Sequence, residues 1–143
     1  MADAPAILPL IAAQYDEHAI VRAPRELEAG IAGLVDHPER GAVLVAARPG
    51  HDDLAGLAVV SFTWTLENGG RTAWLDELYV TPGHRGSGLG TSLLEAVIAI
   101  ADAEGCLAIE LEVDHDHARA EALYQRYGFR VLPRRRLTRV QGR

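Results

Sequence analysis

Arg85-Gly86-Ser87-Gly88-Leu89-Gly90-Thr91 is the stretch on which the fold turns. It joins a strand, RTAWLDELYV (71–80), to a helix that runs to about Glu104. Alternating glycines let backbone N–H groups approach a ligand with no Cβ in the way. The helix N-terminus adds unpaired donors and about half a positive charge. With the Arg85 cation, these features suit a pyrophosphate. A flexible glycine-rich turn is the plain alternative. Two other glycine motifs fail. A dinucleotide fold needs G-x-G-x-x-G after a parallel unit, whereas the spacing from Gly86 is G-x-G-x-G and a meander precedes it. A G-x-S-x-G nucleophile elbow would need glycine where Arg85 stands.

Upstream, LAGLAVVSFTW (54–64) reads as a strand joined to 71–80 by the turn ENGG (67–70). AVLVAAR (42–48) reads as a short buried strand, followed by the turn PGHDD (49–53). Before it come two helices. Residues 6–19 carry Ile7, Leu10, Ile11 and Tyr15 at helical spacing. Pro24 opens the second, with Leu27, Ile31, Leu34 and Val35 on one face, and His37-Pro38 ends it. Downstream of the loop, Leu89, Leu93, Val97 and Ile100 give the third helix its apolar stripe, and Gly105 stops it. LAIELEV (107–113) alternates as a strand does. Residues 117–127 form a fourth helix stopped by Gly128, with Asp116 as its expected N-cap. FRVL and RRLTRV read as closing strands. A meander followed by a β–loop–α–β unit is mixed α/β.

Composition narrows the function. The 143 residues suit about one domain. All 14 bases are arginine, and the absence of lysine excludes a Walker-A loop and any Schiff-base mechanism. Cys106 is the one cysteine, which excludes an internal disulfide and a Cys-rich zinc site. A net charge of −6 argues against nonspecific nucleic-acid binding. No apolar run approaches the roughly 18–20 residues of a membrane span. The first residues lack the basic start of a signal peptide. The expectation is a cytoplasmic single-domain protein with no membrane or nucleic-acid partner. Asp114-His115-Asp116-His117 reads as a solvated strand-to-helix turn, with no metal expected.

Arg85, Gly88 and Gly90 fit R-x-x-G-x-G. Ala120-Glu121-Ala122-Leu123-Tyr124-Gln125-Arg126-Tyr127-Gly128-Phe129 fits A-x-x-L-Y-x-x-x-G-F. With Leu75-Asp76-Glu77-Leu78-Tyr79-Val80 before the loop, these segments resemble the GNAT superfamily of acyl-CoA-dependent N-acyltransferases. The likeness covers roughly residues 42–132. It implies a mostly antiparallel mixed sheet with helices on both faces and a splayed pair of central parallel strands. It implies acetyl-CoA as cosubstrate, its pantetheine paired with the backbone at Leu78 and Val80. The pyrophosphate would lie on Arg85, Gly86, Ser87, Gly88, Leu89, Gly90 and Thr91. Tyr124 matches the tyrosine facing the sulfur, as general acid. His117 stands where the family's Asn contacts the cofactor. The family's first strand is missing here, since helix-like sequence already begins near Ile7.

Acyl transfer needs a neutral amine. With a pKa of about 10.4, only about one lysine-like amine in 2,500 is neutral at pH 7, which puts about 4.6 kcal/mol of barrier at stake. A carboxylate is the natural remedy, and Asp76 and Glu77 are the candidate bases. Strand alternation puts them on opposite faces unless a bulge intervenes. The acidic pair resembles that of diamine and polyamine acetyltransferases. The expected acceptor is therefore a small cationic amine. A protein N-terminal or lysine acetyltransferase and a non-catalytic acyl-CoA-binding module are the alternatives. Residues 1–129 hold 8 Arg against 20 acids, while the last 14 hold 6 Arg and no acid. That asymmetry, with a bare edge at AVLVAAR, leads to an expected homodimer paired through the C-terminal segment.

Overall fold

The computed structural model describes residues 4–48 and 50–142. They fall into two compact units, one ending at Glu112 and one starting at Val113. The first holds helices α1 (Ala4–Glu17), α2 (Pro24–Val35) and α3 (Leu89–Ala103) and strands β1 (Gly41–Ala47), β2 (Leu54–Thr65), β3 (Gly70–Val80) and β4 (Ala108–Leu111). The second holds α4 (Ala118–Arg126).

The sheet order is β1-β2-β3-β4. The first three strands form an antiparallel meander, and β3 runs parallel to β4. The meander follows from short turns, and the parallel pair from the crossover through α3. Alternation in β2 sends Leu57 and Val59 to one face, where they meet Ile7, Leu10 and Ile11 of α1, Ile31 of α2 and Tyr79 of β3. On the other face lies α3, whose Leu93, Leu94 and Val97 are buried. Gly56 permits that approach, since a Cβ there would stand 2.7 Å from the Tyr79 carbonyl and 3.1 Å from Leu93 Cδ1. Each such buried aliphatic side chain contributes roughly 1.5–3 kcal/mol.

The ends of the elements bear on the site. α2 opens on Pro24, with Glu26 accepting a bond from the Ala23 N–H at 3.1 Å. α1 stops before residue 19 because Ile20 N–H closes on the Tyr15 carbonyl at 2.9 Å and Ala19 N–H on Asp16 at 3.3 Å. This left-handed stop holds Ala19 at φ 53°, where glycine is usual. The closing strands read from FRVL and RRLTRV do not form. No strand follows α4 among the described residues, so β4 is a sheet edge, as β1 is. A strand propensity is realised only against a partner, and these arginine-rich segments meet none.

Candidate active site

The ladder between β2 and β3 breaks its alternation once. Val59 pairs with Glu77 and Val60 with Leu75, which leaves Asp76 as an extra residue in β3. Such a bulge turns two neighbouring side chains to one side. Glu77 meets Gln14 and Tyr15 of α1. Asp76 accepts a hydrogen bond from Ser61, which alternates in phase with Leu57 and Val59. Both acids therefore share the α1 face, where plain alternation would separate them. The bulge also marks where β3 leaves β4. Parallel pairing runs from Thr72 with Ala108 to Leu75 with Leu111 and ends there, while β3 continues to Val80. Leu78 and Val80 lie on that continuation.

Two carboxylates are held reciprocally between α1 and β3. Glu77 takes a hydrogen bond from the Gln14 amide on Oε2 and one from the Tyr15 hydroxyl on Oε1 at 3.1 Å. Glu17 of α1 takes one from the Tyr79 hydroxyl at 2.9 Å and one from the Arg85 guanidinium at 2.7 Å. Burial raises the Glu77 pKa, its two donors oppose the rise, and the neighbouring Asp76 charge adds to it. Burial, then the Glu77 charge, pushes Tyr15 up to about 12, so its hydroxyl stays a donor at neutral pH. Glu17 is held low by the bonds from Arg85 and Tyr79. A cleft of about 350 Å³ opens between α1 and α2, lined by Leu8, Ala12, Tyr15, Asp16 and Arg22 among others. Tyr15 thus borders both the cleft and the Glu77 carboxylate.

The glycine loop has the properties of an anion site. Gly86 and Gly88 adopt φ 78° and 86°, a region that L side chains avoid. Gly88 is the N-cap of α3, and no side chain caps it. The first bonded N–H of the helix is that of Ser92, on the Gly88 carbonyl at 3.0 Å. The N–H groups of Leu89, Gly90 and Thr91 precede it and have no intrahelical acceptor. Ser87 turns its hydroxyl back onto the His84 carbonyl. Arg85 lies elsewhere than the motif implies. Its Nε donates to the Val80 carbonyl at 2.9 Å, and its plane stands 5.6 Å from the Tyr79 ring centre, on the way to Glu17.

The remaining candidates belong to the second unit. His117, not Asp116, is the N-cap of α4, and its side chain makes no capping bond. Tyr124 stacks obliquely on Phe129, ring centres 5.7 Å apart, and burial pushes its hydroxyl up to about 12. Sequence reading passed over Gln14 and Glu17. Position 14 continues the inward row of Ile7, Leu10 and Ile11, and an amide in that row was the available signal. Nothing local in the sequence pairs Glu17 with Arg85, 68 residues away.

Residues 6–129 match the acetyltransferase (GNAT) family. A mycothiol acetyltransferase of Beutenbergia cavernae is 33% identical over 111 residues, 67% of this chain and 37% of that one. A spermine/spermidine N(1)-acetyltransferase of Bacillus subtilis is 32% identical over 80 residues, 54% of this chain and 53% of that one. The chain thus spans about half or less of these relatives. The crystal structure of a putative acetyltransferase from Arthrobacter sp. FB24 superposes with a TM-score of 0.79 at 30% identity, covering 96% of this chain and 90% of that one.

Proposed function

The chain belongs to the acetyltransferase (GNAT) family, and from that premise we propose that it moves an acetyl group from acetyl-CoA to the primary amine of a small cationic molecule. The observation that carries this reading is the bulge. It gathers Asp76 and Glu77 on one face at the point where β3 parts from β4. Two adjacent acids on one face suit an ammonium, and a half-buried carboxylate with a raised pKa suits a general base. The B. subtilis relative is named for polyamines, which supports the same acceptor class. The cleft beside Tyr15 offers room for the apolar part of such an amine.

The uncapped start of α3 fits a pyrophosphate, with Gly86, Ser87, Gly88, Leu89, Gly90 and Thr91 around it, and Arg85 would join them on leaving Glu17. Leu78 and Val80 would pair with pantetheine, and His117 would replace the usual Asn contact. Acetyl-CoA supplies a thioester. Glu77 takes a proton from the amine as the C–N bond forms and the C–S bond breaks. Tyr124 is assigned to the sulfur by the motif. A phenol near 12 is a weak acid beside a thiol of about 8.5, so its part is a hydrogen bond to the departing thiolate. We also propose a cytoplasmic homodimer, with the C-terminal segment carrying the contact. Support comes from the two edge strands of the sheet and from Leu137 and Val140, exposed amid arginines.

The test is thiol release from acetyl-CoA across a panel of diamines, polyamines, neutral amines and peptides. A diamine or polyamine is expected to exceed neutral amines of equal length by tenfold or more in kcat/KM. A preference for peptides would replace the acceptor class by protein. No turnover with any amine would leave an acyl-CoA-binding module.

A further inference from the structure

We propose that Gln14 and Tyr15 of α1 are the positioning pair of Glu77, each holding one oxygen of its carboxylate and so fixing its direction. The inference rests on reading Glu77 as the base. Gln14 lies in the apolar row of α1 and is only 6% exposed, with Ile7, Leu10 and Ile11 preceding it on the same face. Its Oε1 has no hydrogen-bond partner among the described residues. A buried amide that leaves its carbonyl unmatched is poor packing, and a leucine would complete the row. What the amide does achieve is a bond from Nε2 to Glu77, 63 residues away. Its neighbour Tyr15 then bonds the other carboxylate oxygen. Each oxygen therefore has one donor from α1, and each keeps lone-pair capacity for an incoming proton.

The groups around the carboxylate set the sign of the effect. Asp76 of β3 disfavours the charge, and His18, just beyond α1, favours it. Arg22 acts on Tyr15, and the nearby Glu17 charge is already matched by Arg85. Against burial, the two α1 donors lower the Glu77 pKa. Removing either donor must raise it further and move the acid limb of activity to higher pH.

The experiment is the pH profile of kcat/KM for Gln14→Leu and Tyr15→Phe, with a ¹³C-carboxyl NMR titration of Glu77 assigned by its loss in Glu77→Gln. Both variants are expected to shift the limb and the NMR midpoint upward by on the order of one pH unit. A wild-type midpoint with activity lowered equally at every pH would make Gln14 and Tyr15 packing residues and overturn the proposal. Tyr15→Phe carries the test if Gln14→Leu fails to fold. Wild-type turnover in Glu77→Gln would remove the base reading instead, and the NMR midpoints would still decide whether the pair governs the carboxylate.

Discussion

The Glu77 carboxylate stands where burial disfavours its charge and two donors oppose that effect, and the two separate on substitution. Its folded pKa lies above the ordinary carboxylate value because of burial. The native state therefore holds its proton to higher pH than the unfolded chain does. Stability contributed below about pH 4.5 is lost as pH rises through the raised value. Glu77→Gln removes that loss. It is expected to melt at or above the wild-type temperature at pH 7, with the gap closing near pH 4, while turnover falls by roughly 10²–10⁴. Thermal melts at both pH values check this, and an equal loss at both would contradict it. Gly88 offers a second test at this scale. A Cβ there meets nothing within 4 Å, so the cost of Gly88→Ala is backbone strain alone. Gly88→Glu adds a carboxylate at the bare helix end. Calorimetry should find acetyl-CoA affinity at least tenfold weaker in Gly88→Glu than in Gly88→Ala. Equal affinities would remove the loop from the cofactor site. The sequence showed the left-handed turn positions of Gly86 and Gly88 through their spacing, and it showed Asp76 and Glu77 as adjacent acids in a strand. It did not show the shared face of the two acids, because LDELYV carries no glycine or proline to mark the bulge.

α1 is the element that contacts both the candidate base and the glycine loop. Through Gln14 and Tyr15 it grips the carboxylate, and through Glu17 it grips the arginine of the loop. Apolar periodicity predicts its existence, and Ile7, Leu10 and Ile11 are the buried row. Its polar contacts lie 62 to 68 residues apart in the chain, where no local pattern reaches. The N-cap of α4 is His117 and not the expected Asp116, because a turn closed by the His117 N–H on the Asp114 carbonyl at 3.0 Å precedes the helix. Glu17 and a pyrophosphate compete for one guanidinium. Exposed pairs of this kind contribute about 0.2–1 kcal/mol. Glu17→Gln keeps the size and a bond to Tyr79 but frees Arg85, so acetyl-CoA should bind about two- to fivefold tighter at low salt. Unchanged or weaker binding in isothermal titration would mean that Arg85 stays with α1 when the cofactor arrives.

At the scale of the whole molecule, charge and open edges point outward together. The body of the chain is acidic and its last 14 residues carry only arginine charges. β1 and β4 both end the sheet, and an unpaired edge invites another chain. Val131, Leu137 and Val140 remain exposed in a segment without strands. The sequence marked these residues as strand-forming, and the missing ingredient is a neighbour rather than a propensity. Light scattering of the full chain is expected to give a dimer at micromolar concentration, weakening with salt. Removal of residues 134–143 should yield monomer or aggregate. A monomeric full chain would end the dimer reading.

The bulge at Asp76 has the form of an insertion that could be undone. Leu75 and Glu77 already face opposite sides and already oppose consecutive residues of β2, Val60 and Val59. Excising Asp76 would splice the strand into a regular ladder without turning any core side chain around. Deleting Leu75 instead would seat Asp76 opposite Val60 and put a carboxylate where a buried leucine packs. A ΔAsp76 chain is expected to fold with an unchanged far-ultraviolet spectrum and a melting temperature no lower than wild type. It should fail to bind acetyl-CoA, because the straightened strand can go on pairing with β4 past Leu111. Binding at wild-type strength by the excised chain would show that the parting of the two strands is written elsewhere.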